Sequence, residues 1–308
     1  MPNNILFLVL IFVASLALLV FASKKFIEAS EKLGLALGLP PFIIGVTVVA
    51  LGTSLPELVS SVFAVLHGNS EIVVGNIVGS NLTNILLIIG VVGFLGKSVF
   101  IHFDFKKVSL PFLVGTALFL LLAIWDLEIA LWEGIVLLGM CASYVFLSLR
   151  NSKDLNDETA PKMTPGVLIW LLLGGVGIYF GAQYNIQSVV KIGEVLQISP
   201  AIIALTAVAL GTSLPELFVS LAAVRQGKGE IAIGNILGSN IYNIVAIGGI
   251  SRMVGEINVP IEIRNLSIWI MLGATALFAY MLWNKHLNRW EGVILLLGYM
   301  AFLCFSFL

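Results

Sequence analysis

The chain has 308 residues, of which 59% are hydrophobic and only 11% charged, with a mean hydropathy of +1.07. Those values lie outside the range of a soluble globular domain and define a polytopic, all-α membrane protein. The formal net charge of −1 points to no nucleic-acid partner, no protein partner is readable, and the bilayer is the only surface that the composition implies.

A hydrocarbon core of roughly 30 Å takes about 20 helical residues to cross. Ten apolar segments meet that length, near 5–22, 40–65, 70–94, 108–125, 130–149, 166–183, 199–224, 230–252, 265–283 and 290–307. The first and sixth run into amphipathic stretches, 24–37 and 183–196, which are candidates to extend those helices. The opening MPNN has no positive n-region, so the first apolar run reads as a retained helix. Cys141 and Cys304 fall inside apolar helices and read as small buried hydrophobes rather than as disulfide or metal ligands.

Charge in the loops sets the expected orientation. With the N-terminus outside, thirteen Lys and Arg residues collect in inside loops, among them Lys24, Lys25, Lys32, Lys107, Arg225 and Lys228, against Lys191, Arg252 and Arg264 outside. The positive-inside rule then places both termini outside and the 151–164 linker in the cytoplasm of a cell (plasma) membrane protein.

An internal repeat dominates the chain. Ala50 to Asn84, ALGTSLPELVSSVFAVLHGNSEIVVGNIVGSNLTN, returns without a gap as Ala209 to Asn243, ALGTSLPELFVSLAAVRQGKGEIAIGNILGSNIYN, with 22 identities in 35 positions. Pro41 and Pro200 extend the match on one side, and Trp132-Glu133-Gly134 and Trp290-Glu291-Gly292 on the other. The halves are therefore 1–150 and 165–308, joined by the polar linker. Five spans per half is an odd number, so the second half enters the membrane from the opposite side. The expected fold is ten transmembrane helices as two inverted five-helix repeats, a symmetry that fits alternating access.

Each repeat carries one acid, Glu57 or Glu216, directly after Pro56 or Pro215. Proline removes a backbone donor and clashes with the preceding turn, so a kink there is expected to free carbonyls around Ala50 to Thr53 and Ala209 to Thr212. Thr53 and Thr212 lie four residues before the acids and share their helix face. In the next helix Asn76, Ser80 and Asn84, like Asn235, Ser239 and Asn243, recur at i, i+4 and i+8 as a polar stripe. Gly75 and Gly79, matched by Gly234 and Gly238, allow a neighbouring backbone to approach closely. Together these groups form a hard-oxygen shell suited to Ca²⁺, with no thiolate or imidazole for softer metals. A buried ionised side chain costs roughly 3 kcal/mol, and here that cost is incurred twice. Glu71 and Glu230 read as first-turn acids on a helix dipole, and Glu133 and Glu291 as interfacial anchors beside Trp. His67, His102 and His286 show no partner pattern. Ser54 and Ser213 have no intramembrane base to activate them, which disfavours an intramembrane hydrolase.

At GTSLPE and GNxxGSNxxN, each present twice, the chain resembles the sodium/calcium exchanger branch of the cation/calcium exchangers over essentially its whole length. The resemblance implies an antiporter with Ca²⁺ and Na⁺ as transported substrates, no cofactor and no enzymatic activity. It implies that Glu57 and Glu216 are shared central ligands joined by Thr53 and Thr212. It further implies that Ser54, Ser213, Ser80, Ser239 and the Ala50 and Ala209 carbonyls line flanking Na⁺ sites, with Asn84 and Asn243 closing the middle. Potassium-dependent relatives carry Asp where Asn84 or Asn243 stands, and proton-coupled relatives an extra Glu where Gly79 and Gly238 stand. An H⁺/Ca²⁺ antiporter, a K⁺-dependent Na⁺/Ca²⁺ antiporter and a Ca²⁺-permeable channel are the alternatives.

Overall fold

The computed structural model describes residues 5–95, 99–100, 102–150, 164–196, 211 and 213–307. The linker expected at 151–164 lies outside them except for Thr164, as does most of the first half of the seventh predicted segment.

The elements are helical and follow the predicted order. They are α1 (Ile5–Ala36), a bent pair α2 (Pro41–Thr53) and α3 (Leu55–Leu66), α4 (Glu71–Leu95), α5 (Phe105–Ala123) and α6 (Leu131–Arg150). The second half holds α7 (Pro165–Val195), α8 (Leu214–Arg225), α9 (Gly229–Val254), α10 (Ile263–Trp283) and α11 (Arg289–Phe307). Among the described residues seven helices are long and apolar enough to cross a membrane, and the bent pair makes an eighth. Helix α11, nineteen residues long, and α8, the described part of the seventh segment, complete the ten. The amphipathic stretches do continue α1 and α7, because no proline interrupts them and the single glycine in each, Gly34 or Gly193, is tolerated within the helix.

The exterior is apolar, and a cluster of polar groups lies buried within an otherwise apolar core. Leu172, Tyr280 and Trp290 expose 70%, 72% and 78% of their surface, while Glu57, Glu216, Asn84 and Asn243 are buried. Only an apolar solvent makes that arrangement favourable.

Inversion is visible in the packing. Helix α1 lies antiparallel against its counterpart α7: Phe26 faces Gly174, Leu19 faces Gly181, and Ser15 accepts a hydrogen bond from Asn185. Among the described residues four two-residue strands tie the halves together. β1 (Val99–Phe100) pairs antiparallel with β4 (His286–Leu287), and β2 (Glu128–Ile129) with β3 (Ile257–Asn258). Each pair joins a loop of one half to a loop of the other.

Polar loop contacts separate into two sets. One contains β1 with β4, the Lys228–Glu31 ion pair at 2.8 Å, and Glu230 accepting from the backbone N–H groups of His102 and Phe103. The other contains β2 with β3, Asn258 N–H donating to Ser70 at 3.2 Å, and Arg252 donating to the Ile129 carbonyl at 2.6 Å. In every case an even number of spans separates the partners, so each set lies on one side of the bilayer.

Two expectations change. Glu133 and Glu291 are helix caps rather than only interfacial anchors: Glu133 accepts from Ala130 N–H and Glu291 from Asn288 N–H, both at 2.8 Å. The Asn288 side chain in turn accepts from Glu291 N–H at 3.0 Å, closing a reciprocal box. Removing it through Asn288→Ala is expected to lower unfolding stability by about 1 kcal/mol without altering transport, which denaturant titration in detergent would check. Glu230 adds to its first-turn position a bond to the loop before α5.

Candidate cation-binding site

The site is built where the two halves cross. In the first half the chain breaks at Ser54, whose φ of −86° and ψ of 1° leave the helical region, and α2 and α3 meet at 41°. Pro56 then occupies the first turn of α3, where its missing N–H is no loss. Ser213 repeats the geometry at φ −90°, ψ 4°, with Pro215 in the first turn of α8. The break thus precedes the proline by two residues. Contrary to expectation, the Ala50 carbonyl keeps a helical partner, accepting Ser54 N–H at 3.0 Å, and also lies 3.3 Å from the Thr53 hydroxyl. Proline's lost donor affects a later carbonyl than that one. The second lone pair of a carbonyl still leaves capacity for an ion.

Glu57 and Glu216 come together as anticipated. The Ser54 hydroxyl, at the hinge of one half, donates to Glu216 Oε1 of the other at 3.1 Å. Both carboxylates are fully buried, and they lie within electrostatic reach of each other. Both oxygens of Glu57 and Oε2 of Glu216 have no hydrogen-bond partner among the described residues. The same holds for the hydroxyls of Ser213 and Ser239, both atoms of the Asn84 amide and Oδ1 of Asn243. Buried polar atoms are ordinarily satisfied. A cluster of unsatisfied oxygens around two like charges is the arrangement a cation completes.

The polar stripe divides by task. Asn76 donates to Ser61 at 3.0 Å and to the Glu57 carbonyl at 3.4 Å, and Asn235 donates to Ser220 at 2.9 Å. Ser61 and Ser220 each lie one turn beyond a glutamate, so these bonds hold the acid-bearing helices against α4 and α9. The Thr53 hydroxyl also reaches Asn235 Oδ1, at 3.1 Å, and Ser80 donates to Asn76 at 3.4 Å. Asn84 and Asn243 instead face the centre. Each sits where its helix widens to a π-helical turn, Thr83–Ile89 and Asn243–Ile247, a feature frequent at functional positions.

Close approach lets the walls meet. A Cβ on Gly234 would stand 2.4 Å from the Phe42 carbonyl oxygen, and one on Gly238 2.6 Å from that of Val46. Among the described residues no such approach is seen at the other pair: a Cβ on Gly75 would stand 3.6 Å from Ile263 Cδ1, and one on Gly79 would meet nothing within 4 Å. Thr212 and Ala209 of the expected ligand set also lie outside them.

Asn81 and Asn240 are additions. Asn243 donates to Asn81 Oδ1 at 3.2 Å, and Asn81 donates to the Asn240 carbonyl at 3.2 Å. These residues follow Ser80 and Ser239 by one position, off the i, i+4, i+8 stripe. Their recurrence in both repeats was the available signal.

Two inverted halves around a buried, oxygen-rich, doubly acidic centre define a membrane transporter of cations. Among known proteins, a family model described as "Sodium/calcium exchanger protein" matches residues 7–150 and 166–308. Inner membrane protein YrbG of Escherichia coli (strain K12) is 30% identical over 94% of both chains. Sodium/calcium exchanger MaX1 of Methanosarcina acetivorans is 31% identical over 97% of this chain and 98% of that one. The sodium-calcium exchanger NCX_Mj, in a structure soaked with Na⁺ and Ca²⁺, superposes with a TM-score of 0.83 at 28% identity, covering 96% of this chain and 97% of its own. The chain belongs to the sodium/calcium exchanger family. It is a multi-pass membrane transporter and not an enzyme.

Proposed function

We propose that the chain exchanges Na⁺ for Ca²⁺ by alternating access, with both termini outside the cell and the transport electrogenic. The observation that carries this reading is the pair of facing carboxylates, Glu57 and Glu216, surrounded by neutral oxygens whose hydrogen-bonding capacity is unspent. Two formal negative charges balance one Ca²⁺ or two Na⁺. The ligand sets overlap, so the two ions compete for one centre, which is what obliges exchange. MaX1 and NCX_Mj, both named as sodium/calcium exchangers, support the choice of ions.

Asn84 and Asn243 add oxygen donors without adding charge. Loading a third Na⁺ therefore leaves a net positive charge on the sodium-bound form, and its movement across the membrane is worth up to about 2.3 kcal/mol per 100 mV. The inside-lying Lys and Arg residues support the orientation.

The test is ⁴⁵Ca²⁺ uptake into proteoliposomes loaded with Na⁺, K⁺ or protons one at a time. Uptake is expected only from the Na⁺-loaded vesicles, and it is expected to accelerate when the interior is held positive, because more than two Na⁺ leave per Ca²⁺ entering. Uptake driven equally by a proton gradient, or undiminished at equal Na⁺ on both sides, would overturn the reading in favour of proton coupling or a channel.

A further inference from the structure

Pseudo-symmetry duplicates a second feature, a groove on the lipid-facing side of each acid-bearing helix. One groove, of about 240 Å³, runs between α1 and α8 and is lined by Val20, Phe218 and Leu221, with Lys24, Arg225 and Gln226 at its end. Its counterpart runs between α7 and α3, lined by Tyr179, Gln183, Val59 and Phe63. The repeats are offset by 159 positions (216 − 57), so Lys24 corresponds to Gln183 and Arg225 to Leu66. The position is shared, although the second groove is larger, about 450 Å³, and only the first carries cations.

Those cations are uncommitted. Neither Lys24 nor Arg225 forms an ion pair among the described residues, and the acids nearby are occupied elsewhere. Glu28 pairs with Lys25 at 3.0 Å, and Glu31 with Lys228 at 2.8 Å. The Gln226 side chain donates to the Lys24 carbonyl at 3.5 Å and holds the two walls together. Lys24 and Arg225 are both exposed. They mark the point where apolar α1 and α8 reach the polar boundary, the position at which a long basic side chain can cover apolar surface and keep its charge outward.

An apolar trough ending in two unpaired cations at a membrane boundary is complementary to a lipid with an anionic phosphate. We propose that this groove binds one anionic phospholipid, its phosphate held between Lys24 and Arg225 and an acyl chain laid along Val20, Phe218 and Leu221. The assignment to the inner leaflet rests on the orientation proposed above; the site itself does not. Arg225 lies nine residues after Glu216 on the same helix, about 14 Å along its axis. A bound lipid therefore fixes the depth of the helix that carries a central acid.

The test reads lipid retention, not transport, so it is independent of which ions the protein exchanges. The full chain in detergent is titrated with phosphatidylglycerol or phosphatidylcholine, and bound lipid is counted by native mass spectrometry. Wild type is expected to keep one phosphatidylglycerol with at least about tenfold preference. Lys24→Gln with Arg225→Gln is expected to abolish the preference, while Lys24→Arg with Arg225→Lys retains it. Millimolar glycerol phosphate is not expected to displace the lipid, because it lacks the chain. Equal retention of both lipids by wild type, a preference that survives in the Gln pair, loss in the charge-conserving pair, or displacement by glycerol phosphate would each refute the proposal.

Discussion

Glu57→Gln or Glu216→Gln is expected to reduce Ca²⁺ flux by at least about 100-fold while the protein still folds. The physical reasoning separates the two effects. Gln keeps the shape of the side chain and one carbonyl oxygen, so packing against α4 and α9, held by Asn76–Ser61 and Asn235–Ser220, is undisturbed. The substitution removes one of two facing like charges in a water-poor centre, which relieves repulsion in the ion-free protein. For the Ca²⁺-loaded protein the sign reverses. A buried ion that loses a charged partner is destabilised by about 3–5 kcal/mol, and each 1.4 kcal/mol is about tenfold. Ion-free unfolding stability is thus expected to hold or rise, while stabilisation by added Ca²⁺ disappears. The pair of measurements is thermal unfolding with and without Ca²⁺, beside ⁴⁵Ca²⁺ flux. Normal flux in either variant, or retained Ca²⁺ stabilisation, would show that the carboxylates are not ligands. Because Ser54 donates to Glu216 and no described side chain donates to Glu57, Glu57→Gln leaves fewer local contacts to rearrange.

Substitution at the crossing of α2 and α9 is expected to have the largest effect on folding. A Cβ on Gly45 would stand 2.4 Å from the Ile231 carbonyl oxygen, and one on Gly234 2.4 Å from that of Phe42. Both obstacles are backbone, so no rotamer change relieves them. Overpacking of this kind costs about 1–3 kcal/mol, and Gly45→Val or Gly234→Val is expected to reach the upper end or exceed it. The helices must separate, and separation carries Thr53 away from Asn235 and opens the site. Gly139→Ala is the matched control, since nothing described lies within 4 Å of its added carbon. Denaturant unfolding of the three variants in detergent checks the contrast. Comparable stability for Gly234→Val and Gly139→Ala would contradict the tight crossing.

Much of the site was legible beforehand because it depends on residue type and span number. An acid inside a twenty-residue apolar run has few roles, and a duplicated one fewer. An odd number of spans per repeat leaves inversion as the only topology. The convergence of Glu57 with Glu216 followed from those two facts. Three features were not legible. The helix breaks at Ser54 rather than at Pro56, and Ser213 has the same backbone geometry, because proline is well accommodated in a first turn. Glu133 and Glu291 cap helices, which depends on the path of a loop. Asn81 bridges the halves, through Asn243 and the Asn240 carbonyl, although it lies off the polar stripe.

The division has one cause. Apolar length, charge at membrane depth and the internal duplication are properties of the linear chain, and in a bilayer they leave one topology, one axis of symmetry and one place for two acids. Rotation of each helix about its own axis is not such a property. It is set by what packs against the helix, here backbones admitted by Gly45 and Gly234, and by π-helical turns that shift the faces after Thr83 and Asn243. Successive helical residues differ in direction by about 100°. Tertiary contact therefore decided that Asn76 and Asn235 bind helices together, that Asn84 keeps its buried amide free of hydrogen bonds among the described residues, and that Asn81 joins the halves through Asn243 and the Asn240 carbonyl.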